Sequence, residues 1–120
     1  MLLTKIGLCG KGYVMITIKP LGNNYDQNAR EDFKLNPNSA VFWFVVSSFG
    51  YYHKPELPSL LSDEVYDKLA KTILDRNIKH SKLSHLITED DLRAGSLYNL
   101  VVWDYPVWVS RIYEDLVKGI

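Results

Sequence analysis

Side chains that recognise small molecules are concentrated in one segment of the chain, GYYHKPELPSLLSDEVYDKL. Tyr52 and His53 precede a loop with two prolines. Asp63, Tyr66 and Asp67 follow the loop at the spacing that places all three on one helix face. Two aromatic rings on separate elements can hold a flat heterocycle by stacking. Neighbouring carboxylates suit ribose hydroxyls or a cationic ring. This set of residues therefore suits a nicotinamide nucleoside.

The same five residues also have a purely structural interpretation. Asp63 is then an acidic residue at a helix start, where the helix dipole favours negative charge. Tyr66 is a ring at the edge of the core, and His53 is a surface residue. Residue types and spacing alone favour this structural interpretation over a binding site.

A helix on each side of the proline-containing loop must position these residues. Ser62 to Arg76 shows the clearest helical pattern, with a serine cap, acidic residues in the first turn and an apolar stripe at helical spacing. Ala40 to Tyr52 is ambiguous by local rules, because its valines and aromatics favour a strand. The polar residues that follow Pro37 are typical of a helix start.

The remaining elements flank this central part. YVMITIK is rich in β-branched residues, and glycines precede it, so residues 1–22 are expected to form a β-hairpin. Thr88 can cap a short helix that Gly95 closes. Pro106 fits the first turn of a last helix through Val117, with Val109, Ile112, Tyr113 and Leu116 as its buried stripe.

Composition limits the classes of function. The 14 basic and 14 acidic residues give no net charge, which argues against nucleic acid as a direct partner. The single cysteine, Cys9, fits a reducing cytoplasm, and no apolar run is long enough to span a membrane. His80 and His85 lie near acidic residues, but their spacing fits no zinc pattern. We expect a cytoplasmic protein without a metal site.

The central segment resembles a known family signature. Tyr52 and His53, followed by SDEVYDKL from Ser62 to Leu69, are similar to the YH…(S/P)DAEYDxL signature of the N-terminal Ia domain of NAD-dependent DNA ligases. In that family the domain is a small helical unit that binds the nicotinamide mononucleotide (NMN) half of NAD. The resemblance implies that Tyr52 and Tyr66 sandwich the nicotinamide, while the acidic residues and the histidine contact the nucleotide. With the resemblance, a retained site and a structural role are about equally supported.

The resemblance also implies how the elements are arranged. In the ligase unit a helix precedes the Tyr-His pair, so Ser39 to Tyr52 is expected to be helical against its propensity. The predicted fold class is α+β, mainly α, in one domain of residues 1–120. An N-terminal β-hairpin (1–22) lies beside a helical body with a ligase Ia-like antiparallel helix pair (39–76) and C-terminal helices (88–118).

The sequence departs from the ligases in ways that change the expected function. The loop between His53 and Asp63 is one residue longer, and no K-x-D-G adenylation motif occurs, so the chain is not expected to be an enzyme. The tail HLITEDDLRAG is similar to that of small phage-encoded proteins that keep a ligase-like unit. Two functions are expected. In the first, the chain binds a host or defence protein and modulates or inhibits it, in the host cytoplasm if the chain is phage-encoded. In the second, the chain binds NMN or NAD, either alone or as an accessory to a separate nucleotidyltransferase.

A protein partner would need an exposed apolar surface. The segment VVWDYPVWV holds several large aromatic residues, and such patches often mark partner surfaces. Trp103, Tyr105 and Trp108 are therefore the predicted partner-binding residues.

Overall fold

The computed structural model describes residues 25–57 and 59–118, together with the backbone of two N-terminal strands. These strands, β1 (Leu2–Gly7) and β2 (Tyr13–Ile18), are antiparallel, from Leu2 opposite Ile18 to Gly7 opposite Tyr13. The turn that would join them and all their side chains lie outside the described residues. The N-terminal hairpin as a whole therefore stays a prediction.

The rest of the described chain is mainly helical, which confirms the mainly α part of the predicted fold class. Short 3₁₀ turns interrupt the connections after the third and fourth helices. The helices are α1 (Asp26–Leu35), α2 (Ser39–His53), α3 (Asp63–Arg76), α4 (Glu89–Ala94) and α5 (Val107–Lys118).

The central helix of the fold is α2. Every residue from Ser39 to Gly50 is buried, and α1, α3 and α5 all pack against this helix. Its sequence is apolar almost all round, which leaves no face for water and requires neighbours on every side. The prediction of a helix over Ser39 to Tyr52 is confirmed, because this tertiary environment outweighs the β propensity of the valines and aromatics.

The helices α2 and α3 run antiparallel, as expected. Tyr52, near the end of α2, shares a cavity with Asp63 at the start of α3. Val41, near the start of α2, shares another cavity with Ile73 near the end of α3. The end of α2 therefore lies beside the start of α3, and the start of α2 lies beside the end of α3.

Local caps and two long-range bonds fix the start of α3. The Ser62 hydroxyl accepts a hydrogen bond from the Val65 backbone N–H at 3.3 Å, as its role as N-cap predicts. The Ser62 backbone N–H donates to Asp26 on α1 at 2.9 Å, and the Tyr25 N–H donates to the Leu60 carbonyl at 2.7 Å. The end of the proline-containing loop is thereby attached to α1, which positions Asp63.

The C-terminal helices pack onto the same body. Thr88 and Asp91 form a capping box at the start of α4, and Gly95 ends the helix in the left-handed conformation with φ +68°. The stripe predicted for α5 is confirmed, since its four apolar residues are all buried. One of them, Tyr113, packs directly onto Gly50 of α2, where there is no side chain to separate the two helices.

Candidate functional site

A cavity of about 250 Å³ lies where the end of α2 meets the start of α3 and the end of α4. Its lining includes three tyrosines, Tyr51, Tyr52 and Tyr66, and two carboxylates, Asp63 and Asp67. We call it the tyrosine–aspartate cavity. Four of the five residues predicted for the nucleotide site line this cavity, Tyr52 from α2 and Asp63, Tyr66 and Asp67 from α3.

Tyr66 is fixed on two sides by α2. Its ring stacks on Phe44 with centroids 4.8 Å apart and an angle of 26° between the planes. Its hydroxyl shares a 2.5 Å hydrogen bond with Ser48. Burial raises the pKa of Tyr66 well above its ordinary value, although the Ser48 bond acts in the opposite direction. Tyr66 therefore offers a ligand at most one face or an edge of its ring, and its hydroxyl is already engaged.

Tyr52 connects the cavity to the segment that follows α4. Its hydroxyl is 2.6 Å from the Ser96 hydroxyl, which also accepts a hydrogen bond from the Tyr98 backbone N–H at 3.2 Å. The Tyr52 ring contacts Tyr51 edge to face, with centroids 4.9 Å apart. The orientation of Tyr52 is therefore set by the C-terminal part of the chain as well as by α2.

His53 does not line the cavity with the other four predicted residues. Its Nε2 lies 3.1 Å from the Leu100 carbonyl oxygen, to which it donates. Its ring packs against Phe49 and Tyr105, at 5.7 and 5.4 Å between centroids. Successive residues of an α-helix point about 100° apart, so Tyr52 and His53 face different neighbours although they are adjacent in sequence.

Ser47 belongs to the cavity, and reasoning from the sequence missed it. The residue is only 7% exposed, and its hydroxyl oxygen has no hydrogen-bond partner in the described part of the chain. A buried hydroxyl without a partner is costly, so a ligand group that reaches Ser47 would form a hydrogen bond that the described part of the chain does not supply. Tyr51 was missed as well. Ser47 and Tyr51 lie four residues apart and therefore on one helix face, and this spacing is the sequence signal that could have indicated both residues.

Gly95 also lines the cavity, opposite Asp67. A Cβ atom added at Gly95 would lie 3.4 Å from Asp67 Oδ1, at ordinary van der Waals contact, so the end of α4 adjoins the carboxylate. The sequence predicted its role in closing α4. Its place in the cavity depends on the packing of α4 against α3, for which local spacing holds no signal.

The two histidines of the connection between α3 and α4 lie apart from the cavity lining. Nδ1 of His80 accepts a hydrogen bond from the Lys82 backbone N–H at 3.1 Å. Burial lowers the pKa of His80, and the nearby charge of Lys82 lowers it further. His85 is exposed, and the described residues contain no group of three or more potential metal ligands.

The predicted partner surface is exposed in part. Trp103 is 87% exposed, and Tyr98, Val101 and Val107 close to it in sequence are more than half exposed. We call these four residues the Trp103 surface. Trp108 is half-buried.

Tyr105 is buried and corrects the prediction for that residue. Only 5% of it is exposed, because its ring packs edge to face on Phe49 at 5.3 Å between centroids. Its side chain therefore belongs to the core and holds the segment before α5 against α2.

The chain matches no protein-family model, and comparisons with curated proteins and with solved structures find no significant match. Among the described residues, no helix has the length and apolar character needed to cross a membrane.

Proposed function

We propose that this chain is a non-catalytic binding protein whose tyrosine–aspartate cavity holds the nicotinamide nucleoside part of NMN or NAD. The observation that carries the proposal is the convergence of Tyr52, Asp63, Tyr66 and Asp67 on one cavity. These are four of the positions at which the sequence resembles the ligase Ia signature. That this chain is related to the ligase family is itself a proposal. The chemistry of the cavity lining supports binding of the nucleoside independently of that relationship.

The chemistry of the lining suits this ligand. Tyrosine rings attract a flat cationic ring through stacking and cation–π interaction. Carboxylates accept hydrogen bonds from ribose hydroxyls, and Asp63 and Asp67 lie four residues apart on one face of α3. The unpartnered hydroxyl of Ser47 adds a group that both donates and accepts.

The size of the cavity also favours a nucleoside. Small-molecule pockets typically enclose about 300–1,000 Å³. At about 250 Å³ the tyrosine–aspartate cavity lies just below that range. One heterocycle and one sugar therefore fit better than a whole dinucleotide, whose adenosine half would extend into solvent.

Calorimetric titration with NMN and with NAD tests the proposal. We expect Asp67→Asn to weaken binding by about two- to fivefold, a change of up to about 1 kcal/mol, since it removes one solvent-exposed charge from the cavity lining. Asp75→Asn is the matched control, because Asp75 is exposed on the same helix and lies outside the cavity lining. Absence of heat at millimolar ligand, or an equal loss in the control, would contradict the proposal.

A second function is favoured by the Trp103 surface. An exposed tryptophan among exposed valines is typical of an interface, where a few aromatic residues supply most of the affinity. We propose that this surface binds a host or defence protein, whose activity the chain modulates or inhibits. A separate nucleotidyltransferase that uses the chain as an accessory is an alternative partner of the same surface.

Affinity capture with paired variants tests this second function. The wild-type chain should retain one dominant protein, and Trp103→Ala should lose it. Leu35→Ala is the matched control, because Leu35 is 83% exposed at the end of α1 and lies outside the Trp103 surface. Retention of the same protein by Trp103→Ala would exclude this surface as the interface.

A further inference from the structure

We propose that the tyrosine–aspartate cavity selects a cationic pyridinium nucleoside over its 5′-phosphorylated form. This inference rests on the proposed function and concerns which ligand of that class the site prefers. Nicotinamide riboside, a cation without a phosphate, would then bind more tightly than NMN, in which the phosphate adds negative charge.

The charge of the lining is the first argument. Asp63 and Asp67 both line the cavity, and none of its described lining residues is a lysine, an arginine or a histidine. Two carboxylates attract a pyridinium cation and repel a phosphate. Since both carboxylates are exposed to solvent, each contributes modestly, typically less than about fivefold in affinity.

The start of α3 does not supply a phosphate site in their place. A helix N-terminus attracts anions through its free N–H groups and its dipole. Here the Ser62 hydroxyl already accepts from the Val65 N–H, and two acidic side chains, Asp63 and Glu64, occupy the first turn. The favourable position for an anion is therefore taken by groups of the chain itself.

The unpartnered hydroxyl of Ser47 is the second argument. It is buried at the cavity, and it can donate to or accept from a neutral polar group. A ribose hydroxyl or a carboxamide satisfies such a group. The polar features of the cavity thus suit the cation and the neutral polar groups of the nucleoside, whereas the phosphate would meet two carboxylates and no cationic side chain among the described lining residues.

Four ligands separate the contributions. The full chain is titrated with nicotinamide riboside, with its reduced and therefore uncharged form, with NMN and with NAD. We expect the riboside to bind at least about threefold more tightly than NMN and than its own reduced form. The preference for the riboside over NMN should be larger at low ionic strength than at physiological ionic strength. The electrostatic screening length is about 8 Å under physiological conditions and rises to about 30 Å at low ionic strength.

The double variant Asp63→Asn, Asp67→Asn keeps the shape of the lining and removes its charge. We expect it to weaken binding of the riboside and to abolish the difference between the riboside and NMN. NMN binding as tightly as the riboside to the wild type, or an unchanged preference in the double variant, would overturn this inference and leave the proposed function standing. No binding of any of the four ligands would overturn the proposed function and this inference together.

Discussion

Asp32 is a buried carboxyl at the contact between α1 and the central helix. Only 4% of the residue is exposed, and its Oδ2 accepts a hydrogen bond from Trp43 Nε1 at 2.9 Å. Burial raises the pKa of Asp32 from 3.8 to about 6; the bond from Trp43 opposes this rise, and the negative charge of Glu31 adds to it. Near neutral pH the folded chain therefore holds an ionised carboxylate in an unfavourable environment.

The sign of the effect follows from the raised pKa. Between pH 3.8 and about 6 the folded chain keeps a proton that the unfolded chain releases. The stability due to this proton is fully present below the unfolded pKa and is lost as the pH rises through about 6. A pKa difference of that size corresponds to about 3 kcal/mol of unfolding free energy.

Replacement of Asp32 by asparagine exposes this contribution. The amide oxygen keeps an acceptor for Trp43 and does not ionise, so the stability of Asp32→Asn relative to wild type should rise by about 2–3 kcal/mol between about pH 4 and pH 8. Any constant cost of the amide group cancels in this comparison. The measurement is urea unfolding across that pH range, with the exposed Asp75→Asn as the control for loss of a negative charge. A stability difference that does not change with pH would refute the reasoning.

Two glycines and the half-buried His80 contribute to stability in ways that substitution can test. Gly50→Ala should destabilise the fold by about 1–3 kcal/mol in urea unfolding, because the added Cβ would lie 2.7 Å from Cζ of the buried Tyr113, and Tyr113→Leu should restore part of the loss. Gly95→Ala should lower stability by about 1–2 kcal/mol because of its φ of +68°, whereas Gly95→Asn should cost less; equal effects would argue against backbone strain. The pKa of His80 is lowered in the folded chain, so the contribution of the neutral imidazole to stability is present above the unfolded pKa of 6.5 and is lost as the pH falls. His80→Asn, which does not titrate, should therefore lose less unfolding free energy in acid than the wild type. Unfolding followed by circular dichroism at a series of pH values measures this difference.

The helix α3 was predictable because its signals are local. The expected helix from Ser62 to Arg76 is observed as Asp63–Arg76 with Ser62 as its cap. A serine cap, acidic residues in the first turn and an apolar stripe act within a few residues of one another. Asp63 could be placed on one face with Tyr66 and Asp67, which follow it by three and four residues, for the same reason.

The composition of the site was less predictable, because it depends on contacts between distant segments. The bond between Tyr52 and Ser96 joins residues 44 positions apart, and the bond between His53 and Leu100 joins residues 47 apart. No local pattern indicates that one of two adjacent residues turns toward the cavity and the other toward the core. The burial of Tyr105 has the same origin, since it follows from the packing of the segment before α5 onto Phe49.

The position of the cavity follows from the burial of α2. Residues 39–50 of this helix are buried, and exposure begins only at Tyr51, so the cavity forms where the helix emerges from the core. Because α1, α3 and α5 hold the buried part from several sides, the direction in which the last turn emerges is fixed before any ligand arrives. A site held in this way loses little conformational freedom on binding, which favours affinity from a small contact area. A substitution in the buried part of α2, such as Gly50→Ala, should therefore weaken ligand binding in the fraction of molecules that still fold, although Gly50 is not among the residues that line the cavity.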